Sequence, residues 1–168
     1  LLGNNCAAVT GFQSQGTWRR YYLNGLLQED ISGLGVVSGP YYIKVYKPSN
    51  YLIVFAKENG KGSFNVPVKA IRTSCGYGTP TGNFRTPYRY RWLEMIGGTW
   101  AQWCTQISGS YLFHSVPNWT HNNFDLEVGE YNHLGDTRSA GCIRMNCRDA
   151  KWIYDNCQLG TEVTIYSW

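Results

Sequence analysis

Apolar and polar positions alternate through Tyr42-Ile43-Lys44-Val45-Tyr46-Lys47, and after Pro48-Ser49-Asn50 an apolar run returns from Tyr51 to Ala56. A period of two predicts strands with a turn between them. Lys57 to Gly62 is a second turn. Val66 to Ser74 is a further β-branched run, in which Pro67 marks an edge or entry position. Earlier, aromatics alternate through Gly16 to Leu27 around Asn24-Gly25, the dipeptide favoured in tight hairpins. Gly33, Gly35 and Gly39-Pro40 read as a linker, which divides the chain into an N-terminal segment, 1–39, and a domain, 40–168.

The second half is more mixed. Gly76 to Gly82, with Pro80, is a glycine-rich loop. Arg85 to Ser110 interleaves Tyr88, Tyr90, Trp92, Trp100 and Trp103 with Gly97-Gly98, and reads as strand pieces or a flap over a groove. Ser110 to Phe113 is a short apolar strand with His114 at its end, and Pro117 to Thr137 is polar and aperiodic. One clear helix follows. Asn146 can cap it with Asp149 three residues on. Ala150, Ile153, Tyr154 and Cys157 recur at helical spacing, and Gly160 suits the stop. Glu162 to Tyr166 is a last strand. The whole predicts a mainly β, mostly antiparallel fold with one helix.

Composition sharpens this in two ways. The chain carries 13 Tyr, 7 Trp and 6 Phe, which suits a β-rich fold with ring-lined grooves for sugars or peptides; about two thirds of the rings are accounted for as core and sheet filler. The net charge of +4 is mild and its basic residues are scattered, so nucleic acid is not an expected partner. No run approaches the ~18 apolar residues of a membrane-spanning helix. The chain opens on Leu1-Leu2-Gly3 rather than methionine, and is expected to be a processed or trimmed form whose export signal is out of view. Of six cysteines, Cys147 and Cys157 are expected on one helix, about 15 Å apart and too far to pair with each other. One or two disulfides involving Cys6, Cys75, Cys104 and a helix cysteine, or all thiols reduced, are both open. There is no CxxC pair, so no zinc knuckle and no metal is expected.

The chemistry concentrates in Ser139-Ala140-Gly141-Cys142-Ile143-Arg144. A thiolate is a strong nucleophile but needs a base or a positive field to form near neutral pH. His114 can be the base; His121 and His133, in polar loop sequence, compete for the role. Gly141 lets the backbone approach closely, so N–H groups of Gly141 and Cys142 can face a developing oxyanion. Ser139 is either the group that orients the imidazole or a turn hydroxyl. Arg144 is either a forked contact to substrate or half of an ion pair with Asp136 or Asp149. Because the histidine precedes the cysteine, a papain-type arrangement is disfavoured.

His114, then Ser139-x-Gly141-Cys142-Ile143-Arg144, then Asp149-Ala150-x-Trp152 and Gly160-Thr161-x-Val163, resembles the catalytic domain of the L,D-transpeptidases, the YkuD-like family. Thr79-Pro80-Thr81-Gly82-Asn83-Phe84 resembles that family's TPxGxF loop, so the likeness runs from about Tyr41 to Trp168. It implies a β-sandwich and a peptidoglycan 3→3 cross-linking enzyme. Cys142 would be acylated by a stem tetrapeptide, with release of the terminal D-alanine and transfer to the side-chain amine of another stem. The family implies His114 as base, Ser139 as orienting group, Gly141 and Cys142 as oxyanion region and Arg144 as substrate contact. It also implies no metal or other cofactor and acylation by carbapenems. A monomer at work outside the cytoplasm on a Gram-positive wall is expected. An L,D-carboxypeptidase, or a wall-binding domain with decayed catalysis, are the alternatives.

Two departures stand out. Ala140 occupies the place of a usual histidine, and the stretch between His114 and Ser139 is longer than usual, an inserted loop bearing on access or acceptor choice. Trp18 to Gly25 resembles one aromatic repeat of Gram-positive wall-binding modules, and one repeat makes no array.

Overall fold

The computed structural model describes residues 1–167; Trp168, the last residue of the expected second domain, lies outside them. Gly11–Gln15 (β1), Trp18–Leu23 (β2) and Leu26–Leu27 (β3) form a three-stranded antiparallel sheet in that order. Asn24 and Gly25 both take positive φ, 48° and 78°, the twist-matched pair that a two-residue hairpin needs. The Asn-Gly signal therefore placed this turn, while β1 carried too little apolar pattern to be foreseen.

Tyr42–Tyr46 (β4), Tyr51–Ala56 (β5) and Val66–Arg72 (β6) follow, where alternation predicted strands. The chain divides into two compact units, residues 1–42 with 53–70, and, among the described residues, 43–52 with 71–167. In the first unit β5 and β6 are sheet neighbours. Trp18 meets Phe55 edge-on at 5.6 Å, and Arg19 holds Glu58 through two bonds of 2.5 and 3.0 Å. Ile31 is buried and its N–H donates to Val68 O.

The second unit holds the rest: Gly82–Arg85 (β7), Arg89–Glu94 (β8), Trp100–Ser108 (β9), Tyr111–Ser115 (β10), Val128–Asn132 (α1), Ile143–Met145 (β11), Cys147–Asn156 (α2) and Glu162–Tyr166 (β12). One sheet runs β11-β10-β9-β8, and in the other β12 lies between β4 and β7. β7 approaches β9, and α2 packs on β9 and β10; β10 is buried from Leu112 to Ser115. The fold is mainly β with one clear helix. α1 is a single short turn within the polar stretch after Pro117.

Three local features go beyond the sequence reading. β11 begins directly after Cys142 and pairs with β10 in parallel, a pair that a mostly antiparallel fold accommodates. Its three residues are too few for a period to be read. β7 emerges from the glycine-rich loop because Phe84 and its neighbours pair with β12. α2 is capped by Asn146, whose Oδ1 accepts from Asp149 N at 2.9 Å, but it ends at Asn156 with Cys157 already extended. Gly160, at φ 85°, serves the turn into β12 rather than the helix stop. All six cysteines are free thiols.

Candidate active site

β10 lies between β11 and β9 with α2 packed on it, and every residue of the strand after Tyr111 is buried. Leu112 and Phe113 supply apolar surface, and His114, next to last in the strand, is 1% exposed. A buried imidazole is costly to charge. Its pKa falls from the usual 6.5 to about 4, chiefly through burial and further through the nearby Arg144 charge, against a backbone hydrogen bond that opposes the fall. That bond joins Nδ1 to the Ser115 carbonyl at 2.6 Å. A carbonyl only accepts, so Nδ1 carries the proton and Nε2 keeps its lone pair, the tautomer a base requires.

Cys142 ends the bend Ser139-Ala140-Gly141-Cys142, just before β11. It lines the same groove as His114, Ser139, Gly141 and Arg144, a concavity of about 600 Å³ on the second unit. The sulfur lies 3.5 Å from Ser110 O. Burial pushes its thiol pKa up, while the Leu112 N–H and the Arg144 charge pull it back. At neutral pH the groove is therefore lined by a thiol and a neutral imidazole. Behind it Cys104 is fully buried and pushed up to about 12, which leaves it inert as a nucleophile.

The bend is held by close backbone packing together with side-chain hydrogen bonds. Gly76 and Ser139 form a parallel bridge, and a Cβ on Gly76 would lie 2.1 Å from Ser139 O and 2.8 Å from Gly141 N. One on Gly78 would meet Ala140 O at 2.5 Å. Thr79 Oγ1 accepts from Gly76 N and donates to Gly141 O, both at 2.8 Å. Lys47 Nζ donates to Tyr77 O and Thr79 O, and Asn50 accepts from Cys75 N at 2.8 Å. Gly76→Ala is expected to lower unfolding free energy by about 2–3 kcal/mol in urea, because the clash is with backbone that cannot yield. Gly129→Ala, where the added methyl meets open space, is the control and should change little.

The structure gathers the five residues singled out in the sequence around one groove, with some contacts other than those expected. Ser139 Oγ donates to Cys142 O, so it staples the bend, and the imidazole is oriented by Ser115 O. Arg144 pairs neither with Asp136 nor with Asp149. Its Nη1 donates to Glu130 Oε2 at 2.6 Å, because α1 delivers Glu130 there, while Asp136 bonds His133 and Asp149 bonds Asn146. His133 is half-exposed beside Asp136, and His121 stacks on Trp100 at 4.7 Å with Trp92 edge-on at 4.6 Å. Neither lines the groove with Cys142. The β8–β9 hairpin lines it through Tyr90 and Leu93 and ends in an exposed Ile96, as the flap reading anticipated. Lys47, Asn50, Ser115 and Glu130 escaped sequence reasoning; none sits at a spacing that announces a site.

With this geometry in hand, known proteins supply the comparison. A Bacillus subtilis protein, YciB, named as a candidate L,D-transpeptidase, is 38% identical over 93 residues, 52% of this chain and 46% of that protein. The chain thus spans about half the length of the curated relative it matches. An L,D-transpeptidase from Mycobacterium smegmatis superposes with a TM-score of 0.60 at 15% identity, over 89% of this chain and 66% of that one. LD transpeptidase LdtMt1 in complex with imipenem superposes at 0.57 and 18% identity, over 75% and 58%. These two likenesses speak for the fold. The family model of YkuD, the L,D-transpeptidase catalytic domain, matches residues 40–165, and the chain belongs to that family.

Proposed function

We propose that this chain is a peptidoglycan L,D-transpeptidase that forms 3→3 cross-links through an acyl-enzyme on Cys142, with His114 as base. The observation that carries the reading is one groove lined by a thiol and by a buried imidazole whose tautomer leaves Nε2 free. In the acylation step the Cys142 sulfur bonds the carbonyl carbon of the third, diamino residue of a stem tetrapeptide as its proton passes to His114 Nε2. N–H groups of Gly141 and Cys142 face the oxyanion. The carbon–nitrogen bond to the terminal D-alanine breaks, and the leaving amine takes the proton from Nε2. A side-chain amine of a second stem then attacks the thioester, gives its proton to Nε2, and the sulfur leaves and is reprotonated.

Since burial raises the thiol and lowers the imidazole, a standing thiolate–imidazolium pair is disfavoured in the resting site. Proton transfer accompanies sulfur attack, so the nucleophile is masked until a substrate carbonyl is in place. Arg144 at the groove supplies positive charge for the stem carboxylate, and Ser139 holds the bend that presents the sulfur. Ala140 is exposed, so nothing in the packing replaces the imidazole usual there and the base role falls to His114. Residues 40–168 act as the catalytic domain and 1–39 as an aromatic repeat or linker. We place the enzyme outside the cytoplasm on a Gram-positive wall, as a monomer acting on stem peptides; no described helix is long and apolar enough to cross a membrane.

Incubation with a disaccharide-tetrapeptide and mass analysis of the products tests this. Dimers with loss of D-alanine are expected. Tripeptide monomers alone would reassign the chain to an L,D-carboxypeptidase, and binding with no product would make it a wall-binding domain.

A further inference from the structure

α1 belongs to the stretch between His114 and Ser139 and brings one acidic side chain to the groove's edge. Glu130 is 16% exposed at its side chain and accepts two cations at once: Arg144 Nη1 on Oε2 at 2.6 Å, and Arg138 Nη2 on Oε1 at 2.9 Å. The backbone of Arg144 is fixed independently, through reciprocal bonds with Ser74 of 2.8 and 3.0 Å. The parallel register sets Arg144 directly beside His114. What the backbone does not fix is where the long guanidinium points, and that is decided by Glu130. The end of α1 is itself anchored, since Ser74 Oγ donates to His133 O at 3.0 Å and Gly135 N to Thr73 O at 2.9 Å.

Resting on the reading of Cys142 as nucleophile, we infer that Glu130 is a positioning residue: it holds the Arg144 guanidinium beside the thiol and the imidazole and limits how much of that positive charge they meet. Arg144 acts on both groups, favouring the thiolate and disfavouring the imidazolium. Around the sulfur the other titratable groups are His114 from β10, Cys104 from β9, Tyr111 and, along the groove, Tyr90 and Glu94 from β8. None of these changes in the variants below. A part-exposed ion pair adds little to folding, so a purely structural Glu130 would leave the reactivity of Cys142 where it was.

The test is the pH dependence of Cys142 alkylation by iodoacetamide, read on the Cys142 peptide by mass because Cys6 and Cys147 are also exposed. In Glu130→Gln the amide oxygen can still accept from Arg144, so the guanidinium stays while its neutralising charge goes. The alkylation midpoint is expected to fall by about half a pH unit. In an Arg144→Gln background the same change should produce a clearly smaller fall, since only the direct effect of the Glu130 charge on the thiol remains. Arg138→Gln frees Glu130 to neutralise Arg144 more fully, so its midpoint should rise by a few tenths of a unit, less because that pair is screened. An unmoved midpoint in Glu130→Gln, or an equal fall without Arg144, overturns the inference. Should Glu130→Gln fail to fold in a thermal melt, Arg138→Gln decides alone, and a midpoint that stays or falls overturns it. If wild-type Cys142 shows no titrating reactivity at all, it is the nucleophile reading that fails instead.

Discussion

A Cys142→Ala chain is expected to fold as the wild type does and to lose at least about 10⁴-fold in cross-linking, since among the described residues no second thiol lines the groove to form the acyl-enzyme. The remaining thiols are poorly placed to substitute. Cys104 and Cys157 are buried and pushed up to about 12, and Cys75 is buried and raised as well. Cys6 and Cys147 are exposed but do not line the groove. The stability change should stay within about 1 kcal/mol, because the sulfur is only part-buried and its contacts, to Ser110 O and the Leu112 N–H, are weak ones. Intact mass after incubation with a carbapenem checks the same point without turnover. The wild type should gain one adduct and Cys142→Ala none. An adduct that persists in Cys142→Ala would move the nucleophile elsewhere, and full activity in that variant would end the mechanism.

His114→Asn is expected to lower kcat/KM by about 10²–10⁴-fold. Its side-chain amide can still donate to the Ser115 carbonyl, so the variant removes the base while sparing much of the local bonding. The pH dependence of stability carries a separate signature. The folded imidazole titrates near 4 and the unfolded one at the usual 6.5, so between these values the unfolded chain binds more protons. Stability from this group is complete above about 6.5 and is lost as pH falls toward 4, in total by about 3 kcal/mol at 1.36 kcal/mol per unit. Urea midpoints measured across that window should slope in the wild type and flatten in His114→Asn. Equal slopes would mean that the ring is not held neutral in the fold. The same low value lets the base form persist well below neutrality, so the acid limb of kcat/KM should lie below that of an ordinary histidine.

The strands read best where one face is core and the other is not. Tyr42 to Tyr46 alternates polar and apolar, and its burial alternates with it. β10 is buried on nearly every position, so its apolar run announced a strand but not its place in the sheet. β11 was invisible for the opposite reason: three residues cannot display a period, and its pairing comes from β10, far away along the chain. At the site, His114, Ser139, Gly141, Cys142 and Arg144 were legible because their residue types and order are chemically unusual. Ser115 acts through its carbonyl, which every residue has, and Glu130 lies in an aperiodic stretch whose short helix forms with its end tied to Thr73 and Ser74. Neither carries a signal that the primary structure can display.

By itself the sequence determined the mainly β character, the helix after the cysteine and the inventory of reactive groups, because periodicity, capping and side-chain chemistry are properties of neighbouring residues. Tertiary structure alone decided which nitrogen of His114 bears the proton, that the thiol and imidazole rest uncharged, and that Arg144 answers to Glu130 rather than to Asp136 or Asp149. Desolvation and charge pairing depend on distance through space, and groups many residues apart meet only once the chain has folded.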